Sequence, residues 1–271
     1  MMKYRQITAI IVTLLVCALF TMGCKVVLVP ADEKIEPGEL ETRQFDFVEF
    51  TDVDISGAFS YEIQKADDWS ISITAGSNLF EYITVTVSGQ ELDIDINIPG
   101  GTFWTNRSSS RPKALITMPI LTGLDSSGAT DGTVTGFRSD DDLDISLSGA
   151  SEIELSDMST GMTFMDLSGA SRISGHIQVD TIELDVSSAS RVHLEGSADY
   201  LMVEAGGASK VELGDFITQN ADITLRDASR GGFNLVETLD AQVNGASSLE
   251  YTGEPVIGDL EVTGASTFRK K

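Results

Sequence analysis

The chain has very few of the residues from which most reactive centres are built. Two cysteines, Cys17 and Cys24, and two histidines, His176 and His193, are all that 271 residues contain. A nucleophile needs a base within hydrogen-bond reach, and soft-ligand metal sites need several Cys or His donors. Both classes of site are therefore starved. Cys17 lies inside an apolar N-terminal run, so an exported domain would hold no disulfide and would rest on burial and backbone pairing. Positive charge is scarce as well: 18 Lys and Arg against 42 Asp and Glu leave a net charge of −24. Such a surface repels nucleic-acid phosphates, and no nucleic-acid partner is expected. Sustained helical periodicity is also missing, while 41% apolar residues is enough for a globular core.

What is present begins with an address. Lys3 and Arg5 precede an apolar stretch from Ile7 to Phe20, followed by Thr21-Met22-Gly23-Cys24. A basic start, a short apolar core and a small residue at the break describe a secretory signal over residues 1–23. Gly23-Cys24 resembles the lipobox of bacterial lipoproteins, which implies that Cys24 becomes the lipidated first residue of the mature chain. Residues 24–44, with Pro30, Pro37 and Gly38, have the composition of a tether. The domain proper is expected over 45–271.

Within it, a short phrase returns: Ser127-Gly128-Ala129-Thr130, Ser148-Gly149-Ala150-Ser151, Ser168-Gly169-Ala170-Ser171 and Ser187-Ser188-Ala189-Ser190. Gly206-Gly207-Ala208-Ser209, Arg226-Asp227-Ala228-Ser229, Asn244-Gly245-Ala246-Ser247 and Thr263-Gly264-Ala265-Ser266 complete the series. Successive alanines are 21, 20, 19, 19, 20, 18 and 19 residues apart, a period that marks a solenoid. Five and three residues before each of the last seven alanines stand apolar residues, from Ile145/Leu147 to Leu260/Val262. Polar residues separate them, as in a strand with one buried face. Three residues after the alanine the inward type returns, with Gly231 the exception. Gly in five of the last seven phrases, and Asp227 in another, places a corner before the alanine, because glycine reaches positive φ freely and Asp tolerates it, while Ser188 fits that conformation least well. Alternating runs such as Val53-Asp54-Ile55 and Leu92-Asp93-Ile94 predict an irregular β portion over 45–121 ahead of regular repeats over 122–271. Ser88-Gly89-Gln90 predicts a hairpin.

Three segments carry a family resemblance. They are Phe47-Val48-Glu49-Phe50 with Val53-Asp54-Ile55-Ser56-Gly57, then Ala114-Leu115-Ile116-Thr117-Met118-Pro119 leading to Leu124-Asp125-Ser126-Ser127-Gly128-Ala129, and Leu249-Glu250-Tyr251-Thr252-Gly253-Glu254-Pro255. Together they resemble the bacterial family called putative auto-transporter adhesin, head GIN domain. The resemblance implies an all-β, right-handed parallel β-helix on an envelope or secreted protein, and it brings no catalytic residues to transfer. With nothing after Lys271 in the sequence, no translocating barrel is expected.

Two groups of residues stand out as candidate binding sites. Arg172, Arg191, Lys210 and Arg230 occupy the same position, two after the alanine, in four consecutive repeats. Stacked, they would form a cationic column, compensated by Asp166, Asp185 and Glu204 or open to an acidic glycan or peptide. The stretch from Pro99 to Lys113 places Phe103, Trp104, Arg107, Arg111 and Lys113 in a loop of an acidic protein, where aromatic and Arg anchors suit recognition as well as self-packing. Asp140-Asp141-Asp142 with Asp144 offers hard oxygen ligands to calcium, or a solvated turn. No cofactor motif is present. The expected function is a noncatalytic outer-membrane lipoprotein presenting a β-helix for adhesion, with an envelope protein or a glycan as partner. A polysaccharide-active enzyme and a structural or signalling protein are the alternatives, since the fold hosts all three. Oligomeric state is left open.

Overall fold

The computed structural model describes residues 38–98 and 111–271. Strands β1 (Leu40–Phe45), β2 (Asp52–Ile55), β3 (Ser60–Lys65), β4 (Ser70–Gly76), β5 (Ile83–Ser88) and β6 (Glu91–Ile96) precede the 99–110 stretch. After it come β7 (Lys113–Met118), β8 (Gly123–Ser126), β9 (Asp131–Thr135) and β10 (Leu143–Leu147). Long bent strands follow: β11 (Glu152–Leu167), β12 (Arg172–Val186), β13 (Arg191–Ala205), β14 (Lys210–Leu225) and β15 (Arg230–Val243). The last coils are β16 (Ser248–Gly253), β17 (Val256–Val262) and β18 (Thr267–Lys270). One 3-10 turn, Ser77–Leu79, is the only helical element among the described residues.

The protein is a parallel β-solenoid. From β8 to β18 each coil pairs in parallel with the next, Ile145↔Met165↔Leu184↔Val203↔Ile223↔Ala241 and Leu147↔Leu167↔Val186↔Ala205↔Leu225↔Val243. These twelve residues are the two inward columns foreseen before the corner, and all are buried. Leu260 and Val262, at the same positions in the last described coil, are exposed, because among the described residues no further coil covers them. After the corner, Ile153, Ile173, Val192, Val211 and Leu249 are buried in turn. Gly231 breaks that column for a packing reason. A Cβ there would sit 2.6 Å from Cζ of Phe233, so the missing side chain makes room for that ring.

The corners bear out the positive-φ reading, from Gly149 at 74° and Gly169 at 75° through Ser188 at 63° and Asp227 at 57° to Gly264 at 68°. Each is stitched to its neighbour: Ala150, Ala170, Ala189 and Ala208 donate their N–H to Gly128, Gly149, Gly169 and Ser188 of the preceding coil. At Ala228 the direction reverses, with its N–H donating to Gly245, and Ala228 and Ala246 themselves take positive φ of 68° and 69°. The serines that follow are buried from Ser151 to Ser247, and Ser266 in the last coil is half-buried. Ser151 and Ser171 close onto the carbonyls of Ser148 and Ser168, at 2.8 and 2.7 Å, so the hydroxyl satisfies its own turn. In β11 to β14 alternation breaks twice more, at 156–157 and 161–162 in β11, giving three arms where two were the minimum expected, while β15 breaks once, at 236–238.

The early strands join the solenoid out of chain order. β2 and β3 lie between β6 and β7 on one side and β8 and β9 on the other, with Ala129 donating to Gly57 across the corner line. The outer sides of β6 and β7 are closed by antiparallel neighbours, β5 against β6 through the Gly89-Gln90 hairpin and β4 against β7, with β1 against β4. That is the irregular portion, and it acts as a cap. Tyr61 is buried beneath it and donates to Ser126 at 3.2 Å, while Gly132 leaves space for its ring. Burial pushes the Tyr61 phenol far up.

Candidate functional site

Stacked corners force whatever follows them into columns. Arg172, Arg191, Lys210 and Arg230 each open a strand, and they pair in register Arg172↔Arg191↔Lys210↔Arg230. Adjacent cations therefore emerge about 4.8 Å apart at the backbone. Two residues on, the next outward column reads Ser174, His193, Glu212 and Gly232. The two columns bound a shallow groove of about 660 Å³. A smaller hollow of about 240 Å³ extends it past Gly231 and Gly232 to Lys271. Gly232 carries no wall there, since a Cβ would meet nothing within 4 Å.

Each neighbouring pair of like charges at this spacing costs about 1 kcal/mol even in water. Compensation is partial. Glu152, which continues the column one coil earlier, lies 3.8 Å from Arg172, and Glu212 lies 2.6 Å from Lys210. Among the described residues, Arg191 and Arg230 have no carboxylate within ion-pair distance. Asp166, Asp185 and Glu204 do not supply it. They form their own column on the arm before the corner, where Glu204 pairs with Arg226. Asp185 is held above the ordinary carboxylate range by burial first, then by Asp166 and Glu204, with Arg226 opposing.

The other candidates divide. Arg111 is tied down, donating to the Ala129 carbonyl at 2.8 Å and facing Asp131 at 3.8 Å. Lys113 pairs with Glu62 at 2.6 Å. It shares the outward column of the groove but is separated from Arg172 by Ser60, Asp131 and Glu152, about 19 Å along the axis. Phe103, Trp104 and Arg107, like Cys24, lie outside the described residues. The histidines do not face each other: His193 stands opposite Ser174 and Glu212, and His176 opposite Glu195. Asp142 is occupied by the Met162 N–H at 2.9 Å, and no metal-binding cluster of His, Cys, Asp or Glu occurs among the described residues.

The arm before the corner is the electrostatic opposite of the groove. Asp93, Asp54 and Asp125 stack on adjacent strands, and Asp54 is pushed up to about 6, by burial first and then by Asp125, Asp93, Glu91 and Asp95. Farther along, Asp222, Asp240, Asp259 and Glu261 line a shallow acidic hollow of about 420 Å³. Burial, then Asp240 and Glu204, raise Asp222 also. Sequence reasoning found the four cations and missed the second column. The signal was there, because Ser174, His193, Glu212 and Gly232 all stand four residues after their alanine.

Residues 49–255 match the family described as putative auto-transporter adhesin, head GIN domain. The chain belongs to that family. Solved structures share its GIN-domain fold at low identity. A putative lipid binding protein from Parabacteroides distasonis is 19% identical, with a TM-score of 0.75, over 88% of this chain and 100% of its own. A putative adhesin from Parabacteroides merdae is 14% identical, also at 0.75, over 86% and 97%. One from Bacteroides fragilis is 19% identical at 0.65, over 88% and 100%. No functionally curated protein matches the chain. The family and these neighbours are described as adhesins or as lipid-binding, and none as an enzyme.

Proposed function

We propose that this GIN-domain protein is a noncatalytic adhesin, anchored in the cell envelope through lipidated Cys24 and held off the membrane by the residues between Cys24 and β1, since residues 40–44 of the expected tether belong to that strand, and that its groove binds an acidic polysaccharide. The observation that carries the reading is the in-register column of four cations, two of them without an ion-pair partner among the described residues. A ligand whose anionic groups recur along an extended chain can engage successive rungs. The groove walls are charged or small rather than apolar, which suits a hydrated, repetitive polyanion better than a peptide with apolar anchors. Carboxylates elsewhere on the surface repel such a ligand and confine it to this stripe.

The test is retention on an immobilised polyuronate against a neutral glycan. Arg172, Arg191 and Lys210 changed together to Gln should abolish retention while the melting temperature holds, and the parent should elute as salt is raised. Trp104→Ala with Arg107→Ala, in the loop, should bind as the parent does. Undiminished binding by the triple variant overturns the site; loss confined to the loop variant moves it there. The anchor is tested separately. Cys24→Ser should leave the protein unprocessed or free of the membrane, and normal maturation with membrane retention would defeat the lipoprotein assignment.

A further inference from the structure

The two ends of the solenoid are unlike. At the first coil, the outer edges of β6 and β7 are covered by antiparallel β5 and β4. At the last coil, β17 pairs with β15 and β18 with β16, and among the described residues nothing lies on their outer side. The consequence shows in the interior columns. Ala241 and Val243 are each 1% exposed, whereas Leu260 and Val262, the next in the same columns, are 44% and 41% exposed. Phe268 is half-buried, tilted against Tyr251 at 5.1 Å. An unpaired parallel edge around an open apolar cross-section is a surface that proteins normally cover.

We propose that this end joins a second copy of the chain, about a two-fold axis through the Gly264-Ala265 corner. Stacking head to tail is blocked, because the first coil of another copy already has its edge filled by β4 and β5. A two-fold through the corner is self-complementary. It lays β17 of one copy on β18 of the other, and because one strand runs into the corner and the other out of it, the pair is antiparallel and forms a regular ladder. Inward residues meet inward residues: Val262 lies opposite Phe268 of the second copy, which joins the two apolar interiors next to the corner, and Leu260 lies opposite its Lys270, whose ammonium pairs with Glu254 of its own copy.

Charge selects the same arrangement. β17 carries Asp259 and Glu261 beside the acidic Asp222 and Asp240, while the chain beyond the corner carries Arg269 and Lys271. Arg269 and Lys271 share one carboxylate, Glu250, within their own copy. The two-fold sets Glu261 opposite the second copy's Arg269 and Asp259 opposite its Lys271. This inference is independent of the groove and needs no ligand.

The experiment uses the full chain in its native membrane. Glu261→Cys with Arg269→Cys should form disulfides between copies on mild oxidation, and Met162→Cys, an exposed position in β11 several coils from this end, should not. With the parent chain in detergent, sedimentation should give a dimer. Glu261→Arg should weaken it by about tenfold or more, and Glu261→Arg with Arg269→Glu should restore it. Leu260→Lys should give a folded monomer. A parent that sediments as a monomer, a charge swap that fails to rescue, or disulfides to a different protein would each overturn the proposal.

Discussion

Replacing Gly196 by alanine separates a stacked coil from an ordinary strand. Gly196 lies in register with Ile177 of the preceding coil and has φ of 126°, a region that L side chains rarely adopt. An added methyl would overlap the Ile177 carbonyl oxygen and lie 2.9 Å from its carbon. Both atoms are backbone, pinned in the ladder, so neither can rotate aside. The dihedral costs about 1–3 kcal/mol, and wedging a methyl into a packed contact about 1–3 more. At roughly 2–4 °C per kcal/mol for a domain of this size, the melting temperature should fall by about 5–20 °C. Gly214 is the control, since its φ is not in the left-handed range and a Cβ there meets nothing within 4 Å. Gly214→Ala should be neutral, or stabilising by less than about 1 kcal/mol. Thermal melts by far-ultraviolet circular dichroism would show the contrast, and hydrogen exchange should place the loss in β12 and β13, because a solenoid transmits damage mainly to its neighbours. If Gly196→Ala melted within about 2 °C of Gly214→Ala, the claim that the coils are in backbone contact at this corner would be wrong.

Two further outcomes follow from buried and crowded polar groups. Asp54, raised from 3.8 to about 6, binds a proton more readily folded than unfolded, so the domain should lose stability as pH rises from about 4 to 6 and stay level above that. Asp54→Asn should then stabilise at pH 7 by about 1 kcal/mol, discounted for screening at a half-exposed site, with the gain gone below pH 4; urea titrations at several pH values would read it. The Ser190 hydroxyl is buried without a partner among the described residues, whereas Ser229 donates to the Ala205 carbonyl at 3.1 Å. Ser190→Ala should therefore raise the melting temperature slightly, and Ser229→Ala lower it by the equivalent of about 1 kcal/mol.

Much of the fold was legible because a repeat writes the same physical instruction many times. Twelve of the fourteen inward positions before the corner were recoverable as columns, and Asp227 revealed its conformation by occupying a glycine's place, whereas Ser188, the poorest fit by residue type, takes the same positive φ because the stacked corners on either side impose it. The last pair, Leu260 and Val262, misled because the pattern states which way a residue points and not whether another coil follows. Coil order was hidden for a related reason. Val53-Asp54-Ile55 and Leu92-Asp93-Ile94 suit the same arm equally well, so nothing local says that the earlier phrase stacks inside the later one. The cationic column was readable from position alone, while its counter-ions were not. Glu152 and Glu212 answer it from the same arm, and Asp166, Asp185 and Glu204 face away across the corner. The reversed hydrogen bond at Ala228 falls in the phrase that departs most from the others, Arg226-Asp227-Ala228-Ser229, but nothing in those residue types states the direction of the bond.

Uniform corner stacking also makes length an adjustable property of this molecule. Cutting residues 190–208 would splice Ala189 to Ser209, preserve the corner phrase and set Lys210 directly on Arg172. Every contact above and below the cut would find a near-equivalent partner. The cationic stripe would lose one rung of four, with the other three unmoved. Duplication of the same segment would add one. A lineage carrying this architecture can thus tune how many charges it offers, one at a time, by slippage of a stretch of DNA and without redesigning a core.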